Sequence, residues 1–583
     1  MNNDELLKTV KEKAEKWLGP QYDEETRAAV QAMLDDTDPT ALVDAFYKDL
    51  EFGTGGLRGI MGAGSNRMNI YTVGAATQGL ANYLNDVFKD EPQISVVIGH
   101  DVRNNSRKFA ELAADIFSAN GIKVYLFESC RPVPEVSYTI RKLGTQSGVM
   151  VTASHNPKEY NGYKAYWSDG AQMIAPHDVE TIAYVNAITS VDQIKFTPNK
   201  DLIQIIGKDI DEQYLDDIKT LSLSPEAIKK HADMKIVYTP IHGTGGMLIF
   251  DSLKKWGFEN VIHVPEQDVQ SGDFPTVVSP NPENSEAMTL GIAKAKETGA
   301  SLVLASDPDS DRIGLVVRDS KGEYQLVNGN QIVMIFLYYI ITRNRELGLL
   351  KGNEYCVKTI VTTETIKRIA EANDVKCYDC FTGFKWIANV MRNLEGTERY
   401  LGGGEESYGF LPETFVRDKD AVSSITLMCE IAAWAAEQNL TLYDLLLDIY
   451  EKYGFSRERG VSVVRPGKTG ADEIVAMMKN YRENPPKSLA GSPVVTVKDY
   501  ADLNCHDLKN GTVTKMNFPT TSNVLQFFTE AGDKVSVRPS GTEPKIKFYV
   551  EVRENMPSKD QYEETVLKAE EKIKKVLADL SAE

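Results

Sequence analysis

The sequence contains no apolar run long enough to cross a membrane. Its longest such run, Ile332–Ile341, is about half of the ~20 residues that a transmembrane helix needs, so it predicts a buried helix or strand. The polar, acidic start M-N-N-D-E-L-L-K is not typical of a signal peptide. Six cysteines in 583 residues, without a secretion signal, predict reduced thiols and a cytoplasmic protein.

Basic charge is also scarce. Lys and Arg number 65 against 84 Asp and Glu, which gives a formal net charge of −19. This balance argues against nucleic acids and anionic membranes as partners. A local cluster of Arg and Lys can still attract a small anionic ligand. Cys377 and Cys380 have C-x-x-C spacing, but no second pair or histidine cluster completes a zinc site, so neither a metal nor a redox role is predicted.

Short apolar strands alternate with amphipathic helices along most of the chain, which predicts parallel α/β sheets. Polar motifs follow three of these strands, Ser147–Val151, Ser301–Ala305 and Arg399–Leu401. The carboxyl end of a parallel strand is where such a sheet presents ligand groups. The order therefore predicts three successive α/β domains, each with one motif.

The C-terminal part has a different pattern. Pro485-Pro486 and the segment 491–493 indicate a linker. The alternation of polar and apolar residues after it predicts antiparallel strands followed by a charged helix, Lys559–Leu580. A smaller α+β domain is expected here.

Asp307, Asp309 and Asp311 form the motif D-P-D-S-D-R with Arg312. Three carboxylates at this spacing repel one another unless a cation lies among them, and oxygen ligands favour Mg²⁺ or Ca²⁺. An EF-hand is excluded because Arg312 stands where its loop needs glycine. Apart from a metal site, the motif could be a solvated acidic turn or an aspartyl-phosphate loop with Asp307 as the nucleophile.

Three further segments offer groups that bind anions or sugars. The glycine-rich F-G-T-G-G-L-R carries Arg58, and R-P-S-G-T-E-P-K begins at Arg538. Guanidinium groups and glycine amides bind phosphate, although a plain glycine turn and a solvated hairpin loop would have the same residues. Glu405-Glu406-Ser407 follows three glycines, which predicts a loop whose acceptors contact sugar hydroxyls.

Ser154 lies in T-A-S-H-N-P, beside His155 and ahead of Lys164. It lacks the flanking glycines of the hydrolase motif G-x-S-x-G. The residues alone leave open whether this serine is a nucleophile, a phosphate carrier or part of a turn.

Taken together and in this order, the motifs resemble the α-D-phosphohexomutase superfamily. They are F-G-T-G-G-L-R, T-A-S-H-N-P, D-P-D-S-D-R, T-G-F-K, G-E-E-S and R-P-S-G-T-E-P-K, and they extend over most of the chain. The segments R-M-N, N-G-Y-K-A-Y-W and V-P-E-Q make the chain most similar to the branch with phosphoglucomutase-2 and bacterial phosphoglucomutase/phosphomannomutase enzymes.

The resemblance implies four domains around a central cleft, three with mixed α/β sheets and a smaller α+β domain at the C-terminus. Their expected ranges are 1–205, which holds the phosphoserine loop, 206–322, which holds the metal loop, 323–455, which holds the sugar loop, and 456–583, which holds a linker and the phosphate loop.

The resemblance also implies roles for individual residues. Ser154 would be the phosphoserine, and Asp307, Asp309 and Asp311 would bind one Mg²⁺ together with a phosphoserine oxygen. Lys164 would be a general acid/base, His155 either a proton-transfer or a structural group, and Arg58 a further catalytic residue at the phosphoserine. The implied substrate-binding residues are Arg58, Arg312, Thr382, Gly383, Lys385, Glu405, Ser407, Lys419, Arg538, Ser540, Gly541 and Thr542. Tyr408-Gly409-Phe410 replaces the Gly-His that some members carry, so a histidine role there is absent.

The activity that follows from the resemblance is that of a phosphoglucomutase, with phosphoserine and a glucose 1,6-bisphosphate as intermediate and primer. A phosphomannomutase or phosphopentomutase would use the same mechanism. An aspartyl-phosphate phosphatase or transferase, or an inert sugar-phosphate-binding protein, would be a function of a different class. Sugar phosphates are the expected partners, and the expected state is a monomer or homodimer.

Overall fold

The computed structural model describes residues 3–53, 55–465, 467–540 and 545–582. The chain forms two compact units. The first comprises Met1–Gly329 and Gly383–Asn439, and the second comprises Asn330–Thr382 and Leu440–Glu583. Each unit is described by itself.

The first unit begins with three helices and a six-stranded sheet. The elements are α1 (Asn3–Glu15), α2 (Glu24–Asp35), α3 (Thr40–Phe46), β1 (Gly56–Ile60), α4 (Ile70–Val87), β2 (Ser95–His100), α5 (Ser106–Ala119), β3 (Lys123–Phe127), α6 (Val133–Leu143), β4 (Ser147–Val151), β5 (Tyr160–Trp167), α7 (His177–Asn186), β6 (Ile203–Ile206) and α8 (Lys208–Lys219). The strand order is β1-β5-β4-β2-β3-β6, and β5 runs antiparallel to its neighbours β1 and β4. Helices α4 and α5 pack against this sheet through apolar side chains. All five residues of β4 are buried, as expected of a strand covered on both faces.

A five-stranded sheet follows in the same unit. Its elements are α9 (Pro225–Lys230), β7 (Ile236–Thr239), α10 (Ile249–Trp256), β8 (Val261–His263), α11 (Pro265–Asp268), α12 (Thr289–Thr298), β9 (Leu302–Ser306), β10 (Ile313–Arg318) and β11 (Tyr324–Val327). The order is β11-β10-β9-β7-β8, with β7, β8 and β9 parallel. The buried strand β9 ends directly before the three aspartates.

The next segment contributes to both units. Its elements are α13 (Gly329–Glu346), β12 (Glu354–Thr359), α14 (Thr365–Glu371), β13 (Lys376–Cys380), α15 (Phe384–Leu394), β14 (Arg399–Glu405), β15 (Gly409–Leu411), α16 (Ala421–Ala436) and α17 (Leu442–Tyr453). The apolar run Ile332–Ile341 lies inside α13 and is mostly buried, as predicted. Among the described residues, no helix is both long and apolar enough to traverse a bilayer.

The second unit ends with a large antiparallel sheet. Its elements are β16 (Phe455–Val464), α18 (Gly467–Glu483), β17 (Ser488–Leu489), β18 (Ser492–Asp499), β19 (Asn504–Asp507), β20 (Thr512–Lys515), β21 (Leu525–Thr529), β22 (Lys534–Pro539), β23 (Lys545–Glu554) and α19 (Tyr562–Asp579). The order is β16-β23-β22-β21-β18-β19-β20, and β17 pairs with β18. The predicted antiparallel strands and charged helix are present.

Two local predictions are wrong. The segment at Gly491 is a tight hairpin between β17 and β18, because Ala490 and Gly491 both adopt positive φ, of 46° and 81°. The glycines that were expected to form a loop before Glu405 lie inside the buried strand β14, which pairs with β15. The turn comes after them, at Tyr408, whose φ is 66°.

Candidate active site

Ser154 lies in the loop that follows β4, and its side chain points at the aspartate cluster. Its backbone adopts a left-handed conformation, with φ of 54°, and its N–H donates to Thr152 Oγ1 at 2.9 Å. The hydroxyl lies 3.3 Å from Asp307 Oδ2 and 3.2 Å from His155 Nδ1. Ser154 is 7% exposed. This serine therefore has a carboxylate on one side and an imidazole on the other.

The three aspartates after β9 are buried, and their carboxylate oxygens approach within 4.8 Å of one another. Asp307 Oδ1 accepts the backbone N–H groups of Asp311 and Arg312, at 3.1 and 3.0 Å, which folds the loop back on itself. Within the described part of the chain, Oδ1 of Asp309 and of Asp311 have no hydrogen-bond partner.

This donor set fits a hard divalent cation. Burial, reinforced by the charges of Asp311 and Asp309, raises the pKa of Asp307 well above its usual value. Such a raised pKa means that Asp307 needs additional positive charge nearby to be ionised, whereas Lys419 and Lys164 outweigh burial at Asp311 and lower the pKa of that residue. Oxygen ligands of this kind suit Mg²⁺.

Two lysines already supply part of that charge. Lys164, on β5, lies 2.7 Å from Asp309 Oδ2 and 3.3 Å from Asp311 Oδ2. Lys419 Nζ lies 3.2 Å from Asp311 Oδ2 and 3.0 Å from Asp418 Oδ1. Burial opposes the charge of both lysines, but the neighbouring carboxylates outweigh it and raise the pKa of each. Both side chains are therefore ammonium groups near neutral pH.

His155 is neutral at physiological pH. Burial, and then the positive charge of Arg312, lower its pKa to about 3. A neutral ring can accept the proton of the Ser154 hydroxyl at Nδ1, whereas an imidazolium could not. The same loop meets Arg58, an exposed residue of β1, whose Nη1 lies 3.3 Å from Asn156 Oδ1.

The predicted sugar-contacting residues Glu405 and Ser407 lie at the end of β14 and in the turn after it. This turn is joined to the aspartate loop, because Arg312 and Gly409 form a β-bridge and Ile313 N–H donates to Tyr408 O at 3.0 Å. Glu405 is buried, and burial raises its pKa. The structure thus brings Ser154, the aspartates and this turn together in one unit.

Gly409 makes room for Lys419. A Cβ atom added to Gly409 would lie 2.1 Å from Cδ and 2.6 Å from Cγ of that lysine. Because Lys419 is buried and held between two carboxylates, it has little freedom to move aside. A glycine is therefore required at this position.

Arg538 and Thr382 belong to the second unit. Arg538 is the fifth residue of β22, and its Nη1 donates to Thr382 Oγ1 at 2.6 Å. Ser540 N–H donates to Lys545 O at 2.8 Å, which continues the pairing of β22 with β23. Gly541 and Thr542 lie outside the described residues. Gly383 and Lys385 are at the start of α15 in the first unit.

Several residues of the site were not predicted from the sequence. Thr152 contacts both Ser154 and Asp309, and Arg103 donates to carbonyl groups of the Ser154 loop. Glu283 pairs with Arg312, and Asp418 accepts from Tyr166 Oη at 2.9 Å. The charged pairs D-V-R and R-D-K-D could have pointed to Arg103 and Asp418, since buried ions need partners.

Four family models match the chain. They are described as Phosphoglucomutase/phosphomannomutase alpha/beta/alpha domains I, II and III and the C-terminal domain, and they match residues 49–192, 212–322, 328–453 and 479–569. These matches and the observed sheets confirm the predicted fold class of three α/β domains with a C-terminal sheet-rich domain.

Similar curated proteins include the phosphoglucomutase of Staphylococcus haemolyticus, 36% identical over 521 residues, which cover 89% of this chain and 93% of the relative. The phosphoglucomutase of Staphylococcus aureus N315 is 35% identical over 514 residues, which cover 88% of this chain and 91% of the relative.

Among solved structures, the open form of pp63/parafusin, a phosphoglucomutase from Paramecium, aligns with a TM-score of 0.69 and 19% identity over 92% of this chain and 95% of that one. A phosphoglucomutase/phosphomannomutase family protein from Burkholderia thailandensis aligns with a TM-score of 0.65 and 17% identity, and the alignment covers 91% of this chain and 97% of that one.

Proposed function

Because the chain belongs to the phosphoglucomutase/phosphomannomutase family, we propose that it is a phosphoglucomutase. It interconverts glucose 1-phosphate and glucose 6-phosphate through a phosphoserine at Ser154 and a glucose 1,6-bisphosphate intermediate. The observation that carries this proposal is the position of the Ser154 hydroxyl, 3.3 Å from a carboxylate of the three-aspartate cluster. A carrier serine needs that neighbourhood, and a binding protein does not.

In the first half-reaction, the bond between phosphorus and Ser154 Oγ breaks while a bond to the sugar 6-hydroxyl oxygen forms; that hydroxyl loses its proton and Ser154 Oγ gains one. In the second, Ser154 Oγ attacks the phosphorus of the 1-phosphate and the bond to the sugar 1-oxygen breaks; Ser154 loses its proton and the sugar 1-oxygen gains one. The sugar turns over between the two steps. His155 Nδ1 lies 3.2 Å from Oγ, where it can accept a hydrogen bond from the serine hydroxyl.

Asp307, Asp309 and Asp311 would hold one Mg²⁺, since their donor set fits it. The ion, when bound, neutralises charge on the transferring phosphoryl group, which is where phosphoryl transfer gains most. Lys164 and Lys419, both protonated, orient the aspartates and add positive charge near Ser154. Because Lys164 is protonated, it is better suited to donate a proton than to accept one.

Arg58 and Arg312 would contact the phosphate at Ser154, and Glu405 and Ser407 the sugar hydroxyls. Gly383, Lys385 and Lys419 would complete the substrate contacts. In the second unit, we propose that Arg538 and the loop from Ser540 bind the phosphate that is not reacting. The residues 541 and 542 share this proposed role.

Initial rates decide the substrate. With catalytic amounts of the matching 1,6-bisphosphate, glucose 1-phosphate should turn over faster than mannose 1-phosphate or ribose 1-phosphate, because the relatives are phosphoglucomutases. The enzyme from cells should also carry phosphate on Ser154, seen as a species about 80 Da heavier by intact mass. Absence of any turnover would contradict the proposal, and faster turnover of mannose 1-phosphate would make it a phosphomannomutase.

We expect Arg538→Ala to lower kcat/KM by about 10- to 100-fold. Charge-assisted bonds to phosphate contribute about 1.5–3 kcal/mol each, and 1.4 kcal/mol is a factor of ten. More sugar bisphosphate should escape into solution during turnover, which a coupled assay detects. Lys509→Ala, which removes an exposed cation of the same unit that pairs with Glu530, is the control. An unchanged kcat/KM with unchanged release of sugar bisphosphate would show that Arg538 does not bind the phosphate that is not reacting.

We expect Gly409→Ala to lower kcat/KM by at least about 10-fold, because the added methyl group displaces Lys419 from Asp311. Gly460→Ala is a matched control, since a Cβ atom at that strand position meets nothing within 4 Å. Melting temperatures of both variants should be measured beside the rates. Equal kcat/KM for Gly409→Ala and the wild type would show that the position of Lys419 is unimportant for catalysis.

A further inference from the structure

Arg103 holds the loop of Ser154 from within the protein. It follows β2, which is parallel to β4, and it is 3% exposed. Its Nη1 donates to the carbonyl oxygens of Pro157 and Tyr160, at 2.9 and 3.1 Å. Its Nη2 donates to those of Ser154 and Asn156, at 2.6 and 2.5 Å. One guanidinium thus contacts four carbonyl groups within seven residues.

The guanidinium is fixed on its other sides. Asp101 Oδ2 lies 3.2 Å from Nε, and Asp101 Oδ1 accepts the N–H of Arg103 at 2.9 Å and the hydroxyl of Ser106 at 2.6 Å. The ring of Phe274 faces the guanidinium, with 5.1 Å between the ring centroid and Cζ. A buried cation with these partners cannot be replaced without leaving its neighbours unpaired.

Phe274 belongs to the segment 269–279, which also contacts the Ser154 loop. His242 fixes this segment, since its ring nitrogens contact Val269 O and Thr276 Oγ1 at 2.8 Å each. Ser279 Oγ donates to His155 O at 3.1 Å. The loop of Ser154 therefore lies between Arg103 and a segment that is itself anchored.

The loop needs such support because its own conformation is costly. A serine with φ of 54° is in a region that L-residues rarely adopt, and such residues persist only when the surroundings determine them. The carbonyl groups of Ser154 and Asn156 would lack a buried partner if Arg103 were absent. A lysine offers a single ammonium and cannot reproduce the planar fork that reaches all four oxygens.

We propose that Arg103 is a positioning residue for the reaction, which keeps Ser154 Oγ facing Asp307 while the serine gains and loses its phosphoryl group. The inference rests on the proposed mutase function. Arg103 touches the backbone of the loop and not the hydroxyl, so it acts on the orientation of Ser154 rather than on substrate binding.

The test compares Arg103→Ala, Arg103→Lys and the control Arg107→Ala. Arg107 is an exposed arginine of α5 that pairs with Glu111. For Arg103→Ala we expect kcat to fall by about 100-fold, since a small misplacement of a reacting atom has effects of this size. KM for glucose 1-phosphate should change by less than about threefold, since binding groups are untouched. Arg103→Lys should be intermediate, and Arg107→Ala should equal the wild type.

Hydrogen exchange gives a readout that does not depend on activity. Amides of residues 153–160 should exchange faster in Arg103→Lys than in the wild type, while those of the strands β2 and β4 keep their protection. If Arg103→Ala does not fold, kcat and hydrogen exchange are measured on Arg103→Lys and Phe274→Leu instead. Normal kcat in the folded Arg103 variants, or unchanged exchange of residues 153–160, would overturn the inference. A wild type with no mutase activity would refute the proposed function, and the exchange result would still decide the role of Arg103.

Discussion

The Ser154→Ala variant is expected to fold normally and to lose nearly all mutase turnover, by at least about 10⁴-fold in kcat, as removal of a reacting nucleophile does elsewhere. In the proposed mechanism this hydroxyl carries the phosphoryl group, and the carboxylate beside it, Asp307, is within the cluster that would hold Mg²⁺. The free energy of unfolding should change by about 1 kcal/mol or less, because only the two long contacts of the hydroxyl, at 3.2 and 3.3 Å, are lost.

Ser154→Gly is the companion variant. Glycine adopts positive φ without strain, so it keeps the backbone of the loop while it removes the hydroxyl. Both variants should lack the phosphorylated species in intact mass spectra, and initial rates with glucose 1-phosphate measure the loss. An acid-stable phosphate that persists in Ser154→Ala would contradict the carrier role. An acid-labile phosphate lost in Asp307→Asn would instead indicate an aspartyl phosphate.

Much of the fold was predictable because buried parallel strands are apolar throughout. The predicted strands Ser147–Val151 and Ser301–Ala305 are mostly apolar and precede polar motifs, and the structure has them as β4 and, one residue later, as β9. The motifs could be ordered along the chain from sequence alone, and the structure brings Ser154 and Asp307 to 3.3 Å. It was the resemblance that put Ser154 with the aspartates, since β4 and β9 belong to different sheets and strand position alone does not join them.

What could not be predicted depends on contacts between distant segments. Nothing local in the sequence indicates that Arg103 reaches carbonyl groups more than fifty residues away, at Ser154 and Tyr160. Lys419 was assigned to substrate through the resemblance, and its pairing with Asp311 and Asp418 follows only from the folded chain. The contacts of Arg103 and Lys419 thus depend on residues that only folding brings next to them.

Glycine was also a misleading signal. The three glycines before Glu405 predicted a loop, yet they lie in β14, where pairing with β15 provides the backbone hydrogen bonds. At Gly409 the glycine serves a neighbour, since a side chain there would strike Lys419. The conformational propensity of glycine does not distinguish a glycine inside a strand from one that makes room for a neighbouring side chain, because both depend on what packs against the backbone.

Removal of Mg²⁺ is expected to abolish turnover, and Asp309→Asn should reduce it by about 100-fold or more at a fixed Mg²⁺ concentration. The amide keeps the shape of the carboxylate but removes one of three negative ligands, so the affinity for the ion falls. Excess Mg²⁺ should restore part of the activity of the variant, because the remaining ligands are unchanged. Initial rates over a range of Mg²⁺ concentrations measure this shift.

A thermal measurement separates metal binding from catalysis. A ligand that binds only the folded state stabilises it by about 2.7 kcal/mol at a hundred times its Kd, so Mg²⁺ should raise the Tm of the wild type. The same concentration should raise the Tm of Asp309→Asn much less. Asp251→Asn, which removes an exposed carboxylate on α10, should respond like the wild type. Full turnover in excess chelator, or an equal Mg²⁺ response in all three proteins, would show that the buried aspartates are not the metal site.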